Sequence, residues 1–183
     1  MGAALVRVAL SARRLPYDDI KICSHPDRGT ALFLIAACNQ PPAAGDSAKV
    51  STEVKAAMAS VISSFNARDA EKSVAYDAPD YVGMFHGADN VVGPAQDLAL
   101  TKLQLSDAAA KVAVANEKID VASAGDMAVW TATYAYDLTD PKTKQPVTEH
   151  GNWLVIFKKQ PDGAMKMAYG VISDTPAPKP AAQ

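Results

Sequence analysis

Three histidines, His25, His86 and His150, carry the side chains of this sequence that ordinarily change charge near neutral pH. His86 closes the alternating run Asp80-Tyr-Val-Gly-Met-Phe-His86, and Asp77 lies just upstream of that run. An imidazole oriented by a carboxylate can take a proton from one position and return it at another. His86 with Asp80, or with Asp77, is therefore the candidate for isomerase, cyclase or dehydratase chemistry. The plainer reading is a surface histidine at a turn beside loop carboxylates, since no second feature demands catalysis. The histidines are far apart in sequence, and Cys23 and Cys38 form no paired zinc motif. With neither a serine elbow nor a glycine-rich phosphate loop, no metal and no cofactor is expected.

A second group is aromatic. Along Met127 to Leu138 the alternation puts Ala128, Trp130, Ala132, Tyr134, Tyr136 and Leu138 on one face. Met127, Val129, Thr131, Thr133 and Ala135 take the other. Trp130, Tyr134 and Tyr136, with Tyr81, Phe85 and Tyr169 from other strands, are candidates to line a cavity for a flat or apolar ligand. The alternative is that they pack in a core or a homodimer interface. His150 shares a face with Asn152, Leu154 and Ile156, while Trp153, Val155 and Phe157 take the opposite one.

The elements that must position these groups follow from periodicity. Val50, Val54, Ala57, Met58, Val61, Ile62 and Phe65 recur every three or four residues and predict an amphipathic helix from about Ser47 to Asn66. Asp69 is placed to cap a short second helix, Ala70 to Tyr76, which ends before Pro79. A strand to His86, a turn at Gly87-Ala-Asp-Asn90 and a brief return at Val91-Val92 come next. Gly93-Pro94 opens a third helix reaching Ser106 or Asp107. Four strands then follow, Lys111–Ala122, Met127–Leu138, Val147–Lys159 and Met165–Ser173, joined by polar turns. Strands gathered late into an antiparallel run argue α+β architecture rather than a doubly wound parallel sheet.

With 183 residues, 49% hydrophobic and 21% charged, the composition is that of an ordinary globular domain. A formal charge of −2 without a basic run excludes a counterion-releasing surface, so no nucleic-acid partner is expected. The apolar stretch Thr30–Ala37 is too short to cross a bilayer as a helix.

Arg28 followed by Ala31-Leu-Phe-Leu-Ile-Ala-Ala-Cys38 has the layout of a secretory signal. Its ending, Ile35-Ala-Ala-Cys38, resembles the lipobox of bacterial lipoproteins, which implies lipidation of Cys38 after removal of 1–37. The expected address is the cell envelope, lipid-anchored on the periplasmic side, with the membrane met only through that anchor. The alternative is an N-terminal tail with a chance apolar patch and a free cysteine. Residues 38–46, Pro- and Gly-containing, read as a flexible linker, 47–174 as the domain and 175–183 as a disordered tail.

The chain also resembles the family that includes nuclear transport factor 2, ketosteroid isomerase and the SnoaL-like polyketide cyclases. The resemblance rests on Phe65-Asn-Ala-Arg-Asp69, Asp77-Ala-Pro-Asp80, Val92-Gly-Pro94, Ala124-Gly-Asp-Met-Ala-Val-Trp130, Gly151-Asn-Trp-Leu-Val-Ile-Phe157 and the closing Ser173-Asp174. It implies a cone-shaped, curved antiparallel sheet packed on about three helices, with a pocket at the open end. The resemblance stops short of the steroid chemistry. Val61 stands where ketosteroid isomerase has its oxyanion-donor tyrosine, and Met84, Phe85 and His86 stand where its general-base aspartate lies. The expected function is a pocket for a small apolar partner molecule, non-catalytic, with the His86 enzyme as the alternative. The exposed sheet face is a candidate homodimer surface.

Overall fold

The computed structural model describes residues 44–175. The leader 1–37, Cys38 and most of the linker lie outside the described residues, as does the tail beyond Thr175.

Helix α1, Ala44–Asn66, begins within the stretch expected to be linker. It turns its predicted stripe inward: Val50, Val54, Ala57, Met58 and Val61 are all buried. The motif Asn66-Ala-Arg-Asp69 then does three separate jobs. The Asn66 side chain donates to the Val112 carbonyl at 2.8 Å and accepts from its amide at 2.9 Å, mimicking a strand neighbour. Arg68, at φ 63°, donates to the carbonyls of Leu105, Asp107 and Ala108, which gathers the segment running from the end of the third helix toward the next strand. Asp69 caps α2, Ala70–Ser73, by accepting from the Lys72 amide at 3.1 Å.

Strand β1 is Asp77–Met84, β2 is Val91–Val92 and α3 is Gly93–Leu105; β3 to β6 are Lys111–Val121, Met127–Thr139, Pro146–Lys159 and Met165–Thr175. The six strands lie in the order β2-β1-β6-β5-β4-β3. The sheet is curved, as expected, but mixed rather than antiparallel, because β1 pairs parallel to β6 while its other ladders are antiparallel. This is possible because α3 and four strands intervene, ample chain for a crossover. The parallel pairing brings the ends of β1 and β6 together, which matters for the site.

Trp130, Phe157, Met58, Val54 and Val155 are the largest fully buried side chains and lock α1 onto the concave face. Removing a residue of this size from a core costs several kcal/mol, on the order of 3–5 for an aromatic. Two irregularities re-aim side chains. In β3 the register shifts between Ala115 and Lys118, with Asn116 at φ 57°, and Glu117 accepts the Trp130 indole N–H at 2.9 Å. In β6 the partners Ile156–Tyr169 and Phe157–Met167 leave Ala168 as an extra residue.

Candidate functional site

Between the helices and the concave sheet face lies a cavity of about 340 Å³. Its wall is largely apolar, with Val61, Ile62 and Phe65 from α1, Leu100 from α3, and Met167 and Ile172 from β6. Two ends differ in their polar groups.

At the open end His86, just past β1, directs Nε2 to Asp174 Oδ2 at 2.8 Å. Their side chains are 52% and 40% exposed, so the pair stands at the rim. Tyr134 donates its hydroxyl to Asp174 Oδ1 at 3.2 Å. That reach crosses Gly151, which sits between them in the sheet: Tyr134 pairs with Gly151 and Gly151 with Asp174. A Cβ on Gly151 would come to 2.5 Å from the Tyr134 ring and would collide with the Ser173 carbonyl. Burial, then the nearby Asp174 and Glu149 carboxylates, holds the Tyr134 hydroxyl above its ordinary range, so it remains a donor. Glu149 completes the group, and one donor atom each from His86, Glu149 and Asp174 lie within 4.8 Å of one another. These are the side chains that could hold a cation, although the His86–Asp174 contact is already complete as a hydrogen bond.

The closed end is acidic. Asp77, at the start of β1, is only 6% exposed, and neither carboxyl oxygen has a hydrogen-bond donor among the described residues. It faces Asp97 of α3, which lines the cavity. Two ionised carboxylates cannot satisfy each other, so a proton held between them is what makes the contact favourable. Burial first, and the Asp97 charge second, push Asp77 up to about 8. Burial raises Asp97 as well, against the opposing effect of a proton shared with Asp77. Burial and the same two carboxyls keep the adjacent Tyr81 hydroxyl protonated. Tyr81 lies across Gly170, where a Cβ would meet its hydroxyl at 2.5 Å.

Of the residues singled out from sequence, His86, Tyr81, Phe85, Tyr134 and Tyr136 line the cavity. Trp130 does not: it is fully buried, with its indole N–H on Glu117 and its ring edge-on to Trp153 at 5.4 Å. Tyr169 is also not in the wall, because the extra residue Ala168 turns it to the convex side, where Lys158 lies over its ring at 4.9 Å. Asp80 is exposed and outside the cavity wall; the carboxylate beside His86 is Asp174. Asp77, the other carboxylate considered, pairs with Asp97 instead. Sequence reasoning missed Asp97, Glu149 and the role of Asp174. The closing Ser173-Asp174 was visible as a motif, whereas Asp97 carries no signal beyond lying in a helix.

The SnoaL-like domain family matches residues 54–178. Curated proteins gave no match by sequence. Among solved structures, a ketosteroid isomerase-like protein from Erwinia carotovora is similar at 18% identity and TM-score 0.57, covering 68% of this chain and 96% of its own. A nuclear transport factor 2-like superfamily protein from Salmonella enterica is similar at 15% identity and TM-score 0.60, covering 74% and 97%. A third, from Novosphingobium aromaticivorans, has a cystatin-like fold, 14% identity and TM-score 0.59 over 72% and 85%. At these identities the likeness is one of fold alone. The match over most of the described residues establishes that the chain belongs to the SnoaL-like domain family.

Proposed function

We propose that the chain is a lipid-anchored protein of the bacterial envelope whose domain holds a small, mainly apolar molecule. The observation that carries the binding reading is the cavity of about 340 Å³ with its apolar wall. A space of that size can enclose a modest organic molecule, and its apolar lining favours burying hydrocarbon. The anchor rests on Ile35-Ala-Ala-Cys38. Thermal melts of the full chain against neutral and charged steroids, aliphatics and aromatics test the binding reading. At least one class is expected to raise Tm in a concentration-dependent way, as mass action requires. No shift with any of them would overturn it. The anchor has its own test: a palmitate analogue fed to expressing cells should label the protein through Cys38, and an unlabelled, soluble product would refute the anchor.

A second reading is favoured by one contact, the 2.8 Å hydrogen bond that orients His86 at the cavity rim. In that reading His86, held by Asp174, moves a proton on a bound substrate in an isomerase, cyclase or dehydratase reaction. The likeness to a ketosteroid isomerase-like protein agrees with this in fold only. Its test is isotope exchange: a bound ligand with an acidic C–H should exchange deuterium faster with wild-type protein than with His86→Gln. Equal rates would end the catalytic reading and leave binding intact.

A further inference from the structure

We propose, building on the binding reading, that the cavity selects lipophilic amines. Asp97, backed by the buried Asp77, receives the ammonium group while the apolar wall takes the hydrocarbon. Three observations converge on this class of ligand.

The first is the charge of the lining. Among the described residues, Asp89, Asp97 and Glu149 contribute carboxyls to the wall, whereas no lysine or arginine does, and His86 is the sole basic side chain there. A ligand carboxylate would enter against like charge in a low-dielectric space, where such repulsion is felt strongly.

The second is the unfinished hydrogen bonding of the acid pair. At the rim Asp174 already has donors in His86 and Tyr134. At the closed end Asp77 has none among the described residues, although it is more than nine-tenths buried. A proton shared with Asp97 satisfies one lone pair and leaves the other Asp77 oxygen without a donor. A buried acid pair short of donors is costly, and a group beside Asp97 that supplies both positive charge and several N–H donors relieves it. An ammonium does both, where a hydroxyl supplies a single neutral donor.

The third is that the protein's own nearby cation is engaged elsewhere. Lys166 acts on Asp77 only through space; its Nζ donates to the Ala75 carbonyl at 2.7 Å and lies over the Tyr76 ring. The cationic partner is therefore supplied by the ligand, beside Asp97, the member of the pair that faces the cavity.

Isothermal titration of the full chain at neutral pH with naphthylethylamine, naphthylethanol and naphthylacetate separates charge from shape. The amine is expected to bind about tenfold or more tighter than the alcohol, a difference of roughly 1.4 kcal/mol, with the carboxylate weakest. In Asp97→Asn the ratio of amine to alcohol affinity should collapse toward one, the alcohol reporting whether the cavity still forms. If Asp97→Asn does not fold, the wild-type ranking decides the matter, and Asp77→Asn should narrow the same ratio. Alcohol or carboxylate binding as tightly as amine would overturn the inference while leaving the binding reading standing. No binding by any of the three would overturn the inference and weaken the binding reading with it.

Discussion

The two ends of the cavity use the same kinds of side chain, carboxyls and tyrosines, and differ in burial and in partners. At the rim, Asp174 is partly exposed and its oxygens meet His86 and Tyr134. At the closed end, Asp77 is buried, faces Asp97 and has no hydrogen-bond donor among the described residues. At the rim two donors meet the carboxylate oxygens, while at the other end burial beside a second acid makes Asp77 hold a proton. Position on the strand decides which behaviour appears: Asp77 opens β1, on which α3 packs, and Asp174 lies near the end of β6.

The strongest way to break this contrast is at Gly151, where the rim depends on backbone rather than on charge. Gly151→Ala should destabilise the fold by about 2–3 kcal/mol, the range for forcing atoms into a packed site. The new methyl meets the Ser173 carbonyl and the Tyr134 ring, so β6 must move or the ring must leave Asp174. Denaturant melts measure the loss, and a cost below about 0.5 kcal/mol would mean that the rim yields as freely as an ordinary surface.

Next in size is the closed end. Asp77 has a folded-state pKa raised from 3.8 to about 8, so between those values the folded chain keeps a proton that the unfolded chain has released. Its contribution is thus fully present below about 4 and is lost as pH rises through about 8. Asp97, Tyr81 and Lys166 are the titratable groups that face it. Asp77→Asn, which imitates the protonated acid, should leave stability near pH 4 almost unchanged and raise it by on the order of 1–2 kcal/mol near pH 9. For a domain of this size that is several degrees in Tm. A variant less stable than wild type at both pH values would show that the carboxyl is needed in its ionised form.

Much of this contrast could not be read from residue order alone. The stripe from Val50 to Val61 and the alternation from Ala128 to Tyr136 led directly to the core and to one cavity wall, because regular elements preserve a period that burial then uses. The site depends on where the period fails. Without the extra Ala168, the inward series Met165, Met167 would have continued through Tyr169 and turned Asp174 to the convex side. Instead Gly170, Ile172 and Asp174 face inward, and a candidate ligand residue is exchanged for the partner of His86. Such a bulge leaves no compositional mark here. The pairing of β1 with β6 was equally hidden, since a parallel ladder joins strands remote in sequence. It is why Asp174, rather than the nearby Asp80, reaches His86. Asp97 meets Asp77 through α3 packing on β1, a tertiary contact without a local signature.

The smallest expected effect sharpens the rim side of the comparison. Asp174→Asn keeps an oxygen in place but removes the charge that faces the His86 imidazole and the Tyr134 hydroxyl. With both members of the His86–Asp174 pair 40% or more exposed, water can take over much of what the carboxylate supplied. The expected loss is below about 1 kcal/mol and should shrink further as salt is raised. Paired melts at low and high ionic strength give both numbers. A salt-insensitive loss well above that bound would mean that Asp174 is held away from solvent and that the rim shares the buried electrostatics of Asp77, in which case the asymmetry on which the amine-selective orientation depends would disappear.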